Sequence, residues 1–204
     1  MRSIPRVVMF SVMLVPALGV AADTPRTTAK TGWWPDVMER TFSDAMSFSR
    51  EMMARVHYAN QLATQLGRLA EARASSPELR RYGRLIATDR QLPDAVVRDY
   101  ASRRMGVALG PPEFVMEAER ELVQGRAAGL THLMTLQGAA FDSGLLALAS
   151  NDNQSDIDLV DQVRTQLDDP SLRIIFDQTI PILEQHERIL QTLRSRSARA
   201  TEGR

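Results

Sequence analysis

Apolar residues recur at helical spacing in two long stretches of the chain, residues 56–105 and 138–193. Each stretch predicts two amphipathic helices separated by a turn that contains a proline. The first turn, Ser75-Ser76-Pro77, supplies a serine N-cap and a proline at the first helical position. The second turn is Asp168-Asp169-Pro170. Since short turns join antiparallel neighbours, each stretch is expected to fold back on itself as a helical hairpin.

Prolines and glycines mark the interruptions of this pattern. Pro93 is predicted to kink the second helix or break it in two, and Pro181 to bend the last one. Gly106 is a natural helix stop. The connection between the hairpins is predicted to hold a shorter helix, from about 112 to 124, and then a loosely structured, glycine-marked passage from 125 to 138. The pattern therefore predicts an all-α four-helix bundle with a short extra helix in the crossover.

The first 22 residues have the three parts of a secretory signal peptide. Arg2 and Arg6 form a basic region, residues 7–20 form an apolar run, and Val20 and Ala22 fit the small-residue cleavage pattern. The apolar run is short of the ~20 residues that a membrane-spanning helix needs. We therefore expect cleavage after Ala22, export to a bacterial periplasm, and no transmembrane span in the mature chain.

The remaining boundaries follow from changes in composition. Residues 23–34 are polar and predict a disordered leader. The bundle domain is expected to span 35–196, with residues 36–55 as an N-terminal helical extension. Residues 197–204 are rich in arginine and small polar residues and predict a flexible tail.

Composition narrows the class of protein. Apolar residues make up 44% of the chain and aromatic residues 5%, which indicates a mostly aliphatic core. The 25 basic and 25 acidic residues cancel, which argues against nucleic-acid binding through bulk charge. The absence of cysteine excludes disulfides and thiolate metal sites. Trp33 and Trp34 are adjacent and cannot share a helix face, so one is expected to pack as a lid on the bundle, the alternative being a patch that docks a partner.

A methionine stripe precedes the first hairpin. Met46, Met53 and His57 are spaced i, i+7 and i+11 and would share one helix face. Thioether and imidazole ligands suit copper(I), so a copper site is one interpretation. The favoured interpretation is that methionine fills an irregular apolar surface.

Three segments resemble the exported bacterial ferritin-like family called domain of unknown function 4142. They are LGRLAEARASSPELRRYGRLIATD, GAAFDSGLLALASND and TIPILEQHERIL, and the likeness covers about residues 55–193. Its most specific parts are the Leu-Gly-x-Leu-Ala run at 66–70, Phe141-Asp142, and Pro181 with a histidine five residues on. The resemblance implies a ferritin-like four-helix bundle in the periplasm or outer envelope. It implies no defined activity, because the family lacks a settled biochemical role.

The resemblance also implies positions for metal ligands. Family members carry acidic residues before the glycine of the first helix, Asp-His in the second, a histidine in the third, and a final histidine after the proline. In this chain Asp89 is followed by arginine and Asp152 by asparagine, and only His186 keeps its histidine. His186, Asp152 and Asp89 are thus the remaining candidate ligands for a weakly bound divalent metal.

The favoured interpretation of the same residues is structural. His186 is expected to hydrogen-bond inside the bundle, and Arg90 to pair across helices with Asp152 or Asp156 in place of a metal. The acidic run of Asp152, Asp156, Asp158 and Asp161 lacks the spacing and glycine turn of a calcium loop, and is predicted to be a solvated helix face.

No nucleophile or paired catalytic carboxylates can be identified, so an enzyme is not expected. The predicted function is a non-catalytic envelope-interaction or stress-associated role, without a cofactor and with an unidentified envelope protein as partner. The alternatives are a divalent metal-binding or oxidase-like bundle around His186, and a periplasmic copper binder.

Overall fold

The computed structural model describes residues 45–113, 117–166 and 169–202, and all the regular structure in these ranges is helical. The predicted signal peptide, leader and tryptophan pair lie outside the described residues. None of the described helices is long and apolar enough to cross a membrane. The helices are α1 Ala45–Arg73, α2 Pro77–Asp89, α3 Gln91–Met105, α4 Glu117–Thr135, α5 Gly138–Gln166 and α6 Pro170–Glu202.

The bundle has four long helical segments, which we call rods: α1, α2 with α3, α5 and α6. α1 packs along α2 and α3, which together make the second rod, and α5 packs along α6. The two hairpins meet through α1 against α5 and α2 against α6, while α4 lies beside α5 and α1. The predicted all-α four-helix bundle with a helix in the crossover is confirmed.

The turn between α1 and α2 is fastened to the second hairpin. The Ser76 side chain accepts a hydrogen bond from the Leu79 amide, which confirms the predicted N-cap. The Asp142 carboxylate accepts hydrogen bonds from the Ser75 amide at 2.9 Å and the Ser76 amide at 3.2 Å. Phe141 beside it is fully buried, so the Phe-Asp pair joins the start of α5 to the end of the first hairpin.

The second rod is interrupted near its middle, as the position of Pro93 predicts. α2 ends at Asp89 and α3 begins at Gln91, with Arg90 between them. Pro93 has no N–H for the carbonyl four residues earlier, and this weakens the helix around residue 89. Gly106, with a φ of 66°, ends α3 in the left-handed conformation that glycine tolerates.

The crossover differs from the prediction. α4 runs from Glu117 to Thr135, so the passage around Gly125 and Gly129 is helical and not loosely structured. Gly129 faces α5, where a Cβ would come within 2.9 Å of Leu148 Cδ1, the end of a flexible side chain. The helix forms in spite of the low helix propensity of its glycines, so packing between helices outweighs that propensity.

The two outer helices also extend beyond their predicted bounds. α1 is continuous from Ala45 to Arg73, so residues 45–55 form the first turns of a bundle helix and not a separate extension. α6 continues to Glu202, past the predicted domain end at 196, with exposed side chains over residues 194–199.

The core consists of two apolar clusters separated by a polar layer. The first cluster includes Met53 of α1, Val97 of α3, Val160 of α5 and Phe176 of α6. The second includes Leu66 of α1, Ile86 of α2, Phe141 of α5 and Leu190 of α6. On each of the four rods, buried polar residues lie between the two clusters. They are Asn60, Arg90, the group Asp152, Asn153 and Asp156, and His186.

Candidate functional site

The polar layer is the one part of the described bundle where charged side chains from several helices meet. We call it the charged layer and define it by Asp89, Arg90, Arg126, Asp152, Asp156 and His186. Arg90, Asp152, Asp156 and His186 are each less than 8% exposed, and the Arg126 side chain is 10% exposed. Since charged residues are rarely buried unless they are paired, the contacts within the layer decide what it can do.

Arg126 of α4 reaches into the bundle between two aspartates of α5. Its Nε lies 3.1 Å from Asp152 Oδ1, and its Nη1 donates to Asp156 Oδ1 at 2.9 Å. Asp152 and Asp156 are i, i+4 neighbours whose like charges would repel, and the guanidinium offsets this repulsion. Both carboxylates favour the charged guanidinium and raise the pKa of Arg126 against the opposing effect of burial.

Sequence reasoning did not identify Arg126. The residues around it are Gly125, Ala127, Ala128 and Gly129, so it is a single charged side chain in a run of small residues. That contrast was the available signal. The glycines beside it predict a loop, which conceals the position of Arg126 on a helix.

Arg90 holds the other side of the layer. Its Nη2 lies 2.8 Å from Asp156 Oδ2, and its Nη1 donates to Asn60 Oδ1 at 3.3 Å. The predicted ion pair of Arg90 with an α5 aspartate is confirmed, with Asp156 as the partner. The predicted solvated face is wrong for Asp152 and Asp156, which are 7% and 1% exposed, because the two arginines make their burial possible.

His186 of α6 pairs with Asp89 at the end of α2. Its Nε2 lies 2.9 Å from Asp89 Oδ2, as the prediction of a hydrogen bond inside the bundle required. The ring also meets Tyr82 edge to face, with 6.2 Å between the centroids. Burial lowers the pKa of His186, and the Asp89 carboxylate opposes this shift only in part.

The three predicted metal ligands all belong to the charged layer, but they have different partners within it. Asp89 contacts His186, while Asp152 contacts Arg126. Asp152 and His186 line one cavity of about 10 Å³. Across residues 45–113, 117–166 and 169–202, no three His, Cys, Asp or Glu side chains form a group that could hold a metal ion. The residues present do not fit a divalent metal, since the Arg126 guanidinium contacts Asp152, and Asp89 and His186 pair with each other.

The copper interpretation depends on side chains that have other roles. Met53 is fully buried in the first apolar cluster. His57 Nδ1 lies 2.5 Å from Asp94 Oδ1, and the Gln61 amide nitrogen lies 3.0 Å from His57 Nε2. Both ring nitrogens therefore have partners. The side chain of Met46 lies outside the described residues.

The buried carboxyl of Asp152 predicts a distinctive pH dependence. Burial raises its pKa to about 6 from the usual 3.8, although Arg126 opposes the shift. The folded protein therefore binds this proton more tightly than the unfolded chain does. The resulting stabilisation is complete below about pH 4 and is lost as the pH rises through 6.

Asp152→Asn should remove this dependence. We expect the free energy of unfolding of the wild type, relative to that of Asp152→Asn, to fall by on the order of 2 kcal/mol between pH 4 and 7. Urea unfolding of both proteins across this range measures the difference. Parallel pH profiles would show that the pKa of Asp152 is not raised in the folded state.

Comparison with known protein families gives a match over most of the chain. A family model described as "Domain of unknown function (DUF4142)" matches residues 39–193. No curated protein and no solved structure matched the chain. The match includes α1 to α5, the part of α6 up to residue 193, and every member of the charged layer. The chain therefore belongs to the family described as Domain of unknown function (DUF4142).

Proposed function

We propose that the protein is an exported, non-catalytic bundle of the cell envelope, in which the charged layer is a permanent structural element in place of a metal site. The observation that carries the proposal is the position of Arg126 and Arg90. Arg126 contacts both Asp152 and Asp156, and Arg90 contacts Asp156. The two guanidinium groups neutralise the carboxylates that a divalent ion in the bundle centre would need.

Charge balance supports this proposal. Two arginines face two aspartates, so the centre of the layer is neutral without any bound ion. A divalent cation there would add two positive charges within a few ångströms of Arg90 and Arg126, where water screens poorly. Binding would require one or both arginines to leave the bundle and to expose the space that they fill.

The size of the cavity supports a non-catalytic role. The cavity beside the layer has about 10 Å³, whereas sites for small-molecule ligands usually have ≈ 300–1,000 Å³. The raised pKa of Asp152 is of a kind found in catalytic acids, but its carboxyl is buried against Arg126. A carboxyl that no substrate can reach cannot exchange a proton with one, so a role in packing is the better interpretation.

The sequence supports the envelope location, and we propose an interaction or stress-associated role there. The basic, apolar and small-residue parts of residues 1–22 favour export. Protein recovered from the periplasm should have the intact mass of a chain that begins at Asp23. Recovery of the chain only from the cytoplasm, with Met1 retained, would contradict the proposed compartment.

A divalent metal-binding protein is the second candidate. It is favoured by one observation, which is that His186 and Asp152 line the same cavity and that His186 Nδ1 has no hydrogen-bond partner. Asp89 would complete the set, as the resemblance to the family implies. This candidate requires Asp152 to exchange Arg126 for the metal.

Elemental analysis of the purified protein separates the two candidates. We expect iron, manganese, zinc and copper each well below one equivalent, and no difference between the wild type and His186→Ala. His132→Ala is the matched control, because His132 is exposed on α4. One equivalent of a metal that is lost in His186→Ala and retained in His132→Ala would overturn the proposal and establish the second candidate.

A further inference from the structure

Five residues that line the cavity beside the charged layer have a buried polar atom without a hydrogen-bond partner among the described residues. One of these atoms, Asp156 Oδ2, is ion-paired with Arg90 Nη2 at 2.8 Å, and the other four have neither kind of partner. They are Tyr82 Oη, Arg90 Nε, Asn153 Oδ1 and His186 Nδ1. Their residues are 1–3% exposed and come from three helices and the α2–α3 junction. Buried polar groups are nearly always hydrogen-bonded, so four unpaired ones around one small space point to a ligand.

The protonation state of each atom follows from its other contacts. His186 Nε2 faces the Asp89 carboxylate and carries the proton, so Nδ1 of the neutral ring is an acceptor. Asn153 Nδ2 donates to the Leu183 carbonyl at 3.0 Å, which leaves Oδ1 as an acceptor towards the cavity. Burial raises the pKa of Tyr82, so its hydroxyl keeps its proton and is able to donate. Arg90 Nε–H is always a donor.

The cavity thus presents two donors and two acceptors. We propose that it is a binding site for a single water molecule, which donates to His186 Nδ1 and Asn153 Oδ1 and accepts from Tyr82 Oη and Arg90 Nε. The volume of about 10 Å³ is close to the least space that one water molecule needs. Water with four polar partners is the usual occupant of such a space.

Charged occupants fit these atoms poorly. Asp152 and Asp156 also line the cavity and would attract a cation, but Arg126 and Arg90 already pair with these carboxylates, and a cation would meet the Arg90 guanidinium and the Tyr82 hydroxyl hydrogen. An anion would face the two carboxylates, the Asn153 oxygen and the His186 lone pair. A neutral molecule that both donates and accepts satisfies all four atoms at once. The site rests on the proposed function in one respect, which is that Arg90 stays in the layer.

A crystal structure of the purified protein at a resolution that shows ordered water tests the proposal. We expect one water peak within hydrogen-bond distance of the four atoms, without anomalous scattering. Tyr82→Phe removes only a hydroxyl and should weaken this peak or abolish it. Tyr100→Phe is the matched control, because the Tyr100 hydroxyl bonds to Asp169 outside the cavity, and there the peak should be unchanged.

Three other results would each contradict a different claim. An empty cavity, or one closed by direct contact of Tyr82 with His186, would overturn the water site and leave the proposed function intact. A peak with the anomalous signal of a metal would overturn both. A peak of equal height in Tyr82→Phe and wild type would contradict the role of the tyrosine hydroxyl as one of the four partners.

Discussion

Arg126→Met is expected to destabilise the protein by about 3–5 kcal/mol, the loss typical of breaking a buried ion pair from one side. Methionine keeps much of the volume of the arginine stem but leaves Asp152 without a cation. Asp156 keeps only Arg90. Both carboxylates are buried in the middle of the core, away from bulk water. Equilibrium urea unfolding at pH 7 measures the loss.

Two further variants show whether charge is the cause. In Arg164→Met the same substitution removes a 37% exposed guanidinium that pairs with Asp161 and Asp177, so a loss of no more than about 1 kcal/mol is expected. Adding Asp152→Asn to Arg126→Met removes the unpaired charge and should recover more than half of the lost stability. Equal losses in Arg126→Met and Arg164→Met would contradict the role of the charged layer.

Gly83→Ala is expected to cost about 3 kcal/mol, at the upper end of the usual range for an overpacked core. A Cβ at Gly83 would lie 2.5 Å from the Gly67 carbonyl oxygen and 2.6 Å from the Glu71 amide nitrogen. A Cβ at Gly67 would lie 2.6 Å from the Gly83 carbonyl oxygen. These neighbours are backbone atoms, so relief requires α1 and α2 to move apart.

Since one separation of the helices relieves both clashes, Gly67→Ala and Gly83→Ala together should cost less than the sum of the single variants. Gly125→Ala is the matched control. It lies inside α4 with no atom within 4 Å of its Cβ position, and it should stabilise the protein by about 0.5–1 kcal/mol through helix propensity. Thermal unfolding of the wild type, the two single variants, the double variant and Gly125→Ala measures these differences. Additive costs at positions 67 and 83 would show that the glycines do not form one contact.

The helical hairpins could be predicted because local signals mark them. Ser76, Pro77, Pro93 and Gly106 act on their own neighbours along the chain, and all four have the predicted effect in the structure. For α4 the sequence predicts too short a helix, because the low helix propensity of its glycines favours a loop. Gly129 packs beside Leu148 of α5, and such a contact between helices is not visible in the local sequence pattern.

The charged layer could be predicted only in part for a similar reason. The replacement of histidine by arginine at position 90 suggested an ion pair, and the pair with Asp156 is present. The burial of Asp152 and Asp156 depends on Arg126, which comes from a helix that was not expected to reach that far. An aspartate on a polar helix face and one in a neutral buried cluster have the same local sequence pattern, so partners from other helices decide between them.

The effect of metal on thermal unfolding tests the central claim most directly, namely that Arg90 and Arg126 replace a metal in the bundle. A site filled at 100 times its Kd would stabilise the protein by about 2.7 kcal/mol and raise Tm by roughly 5–10 °C. We predict the same Tm with chelator as with excess iron, manganese or zinc. A rise of that size that disappears in His186→Ala but persists in His132→Ala would contradict the account.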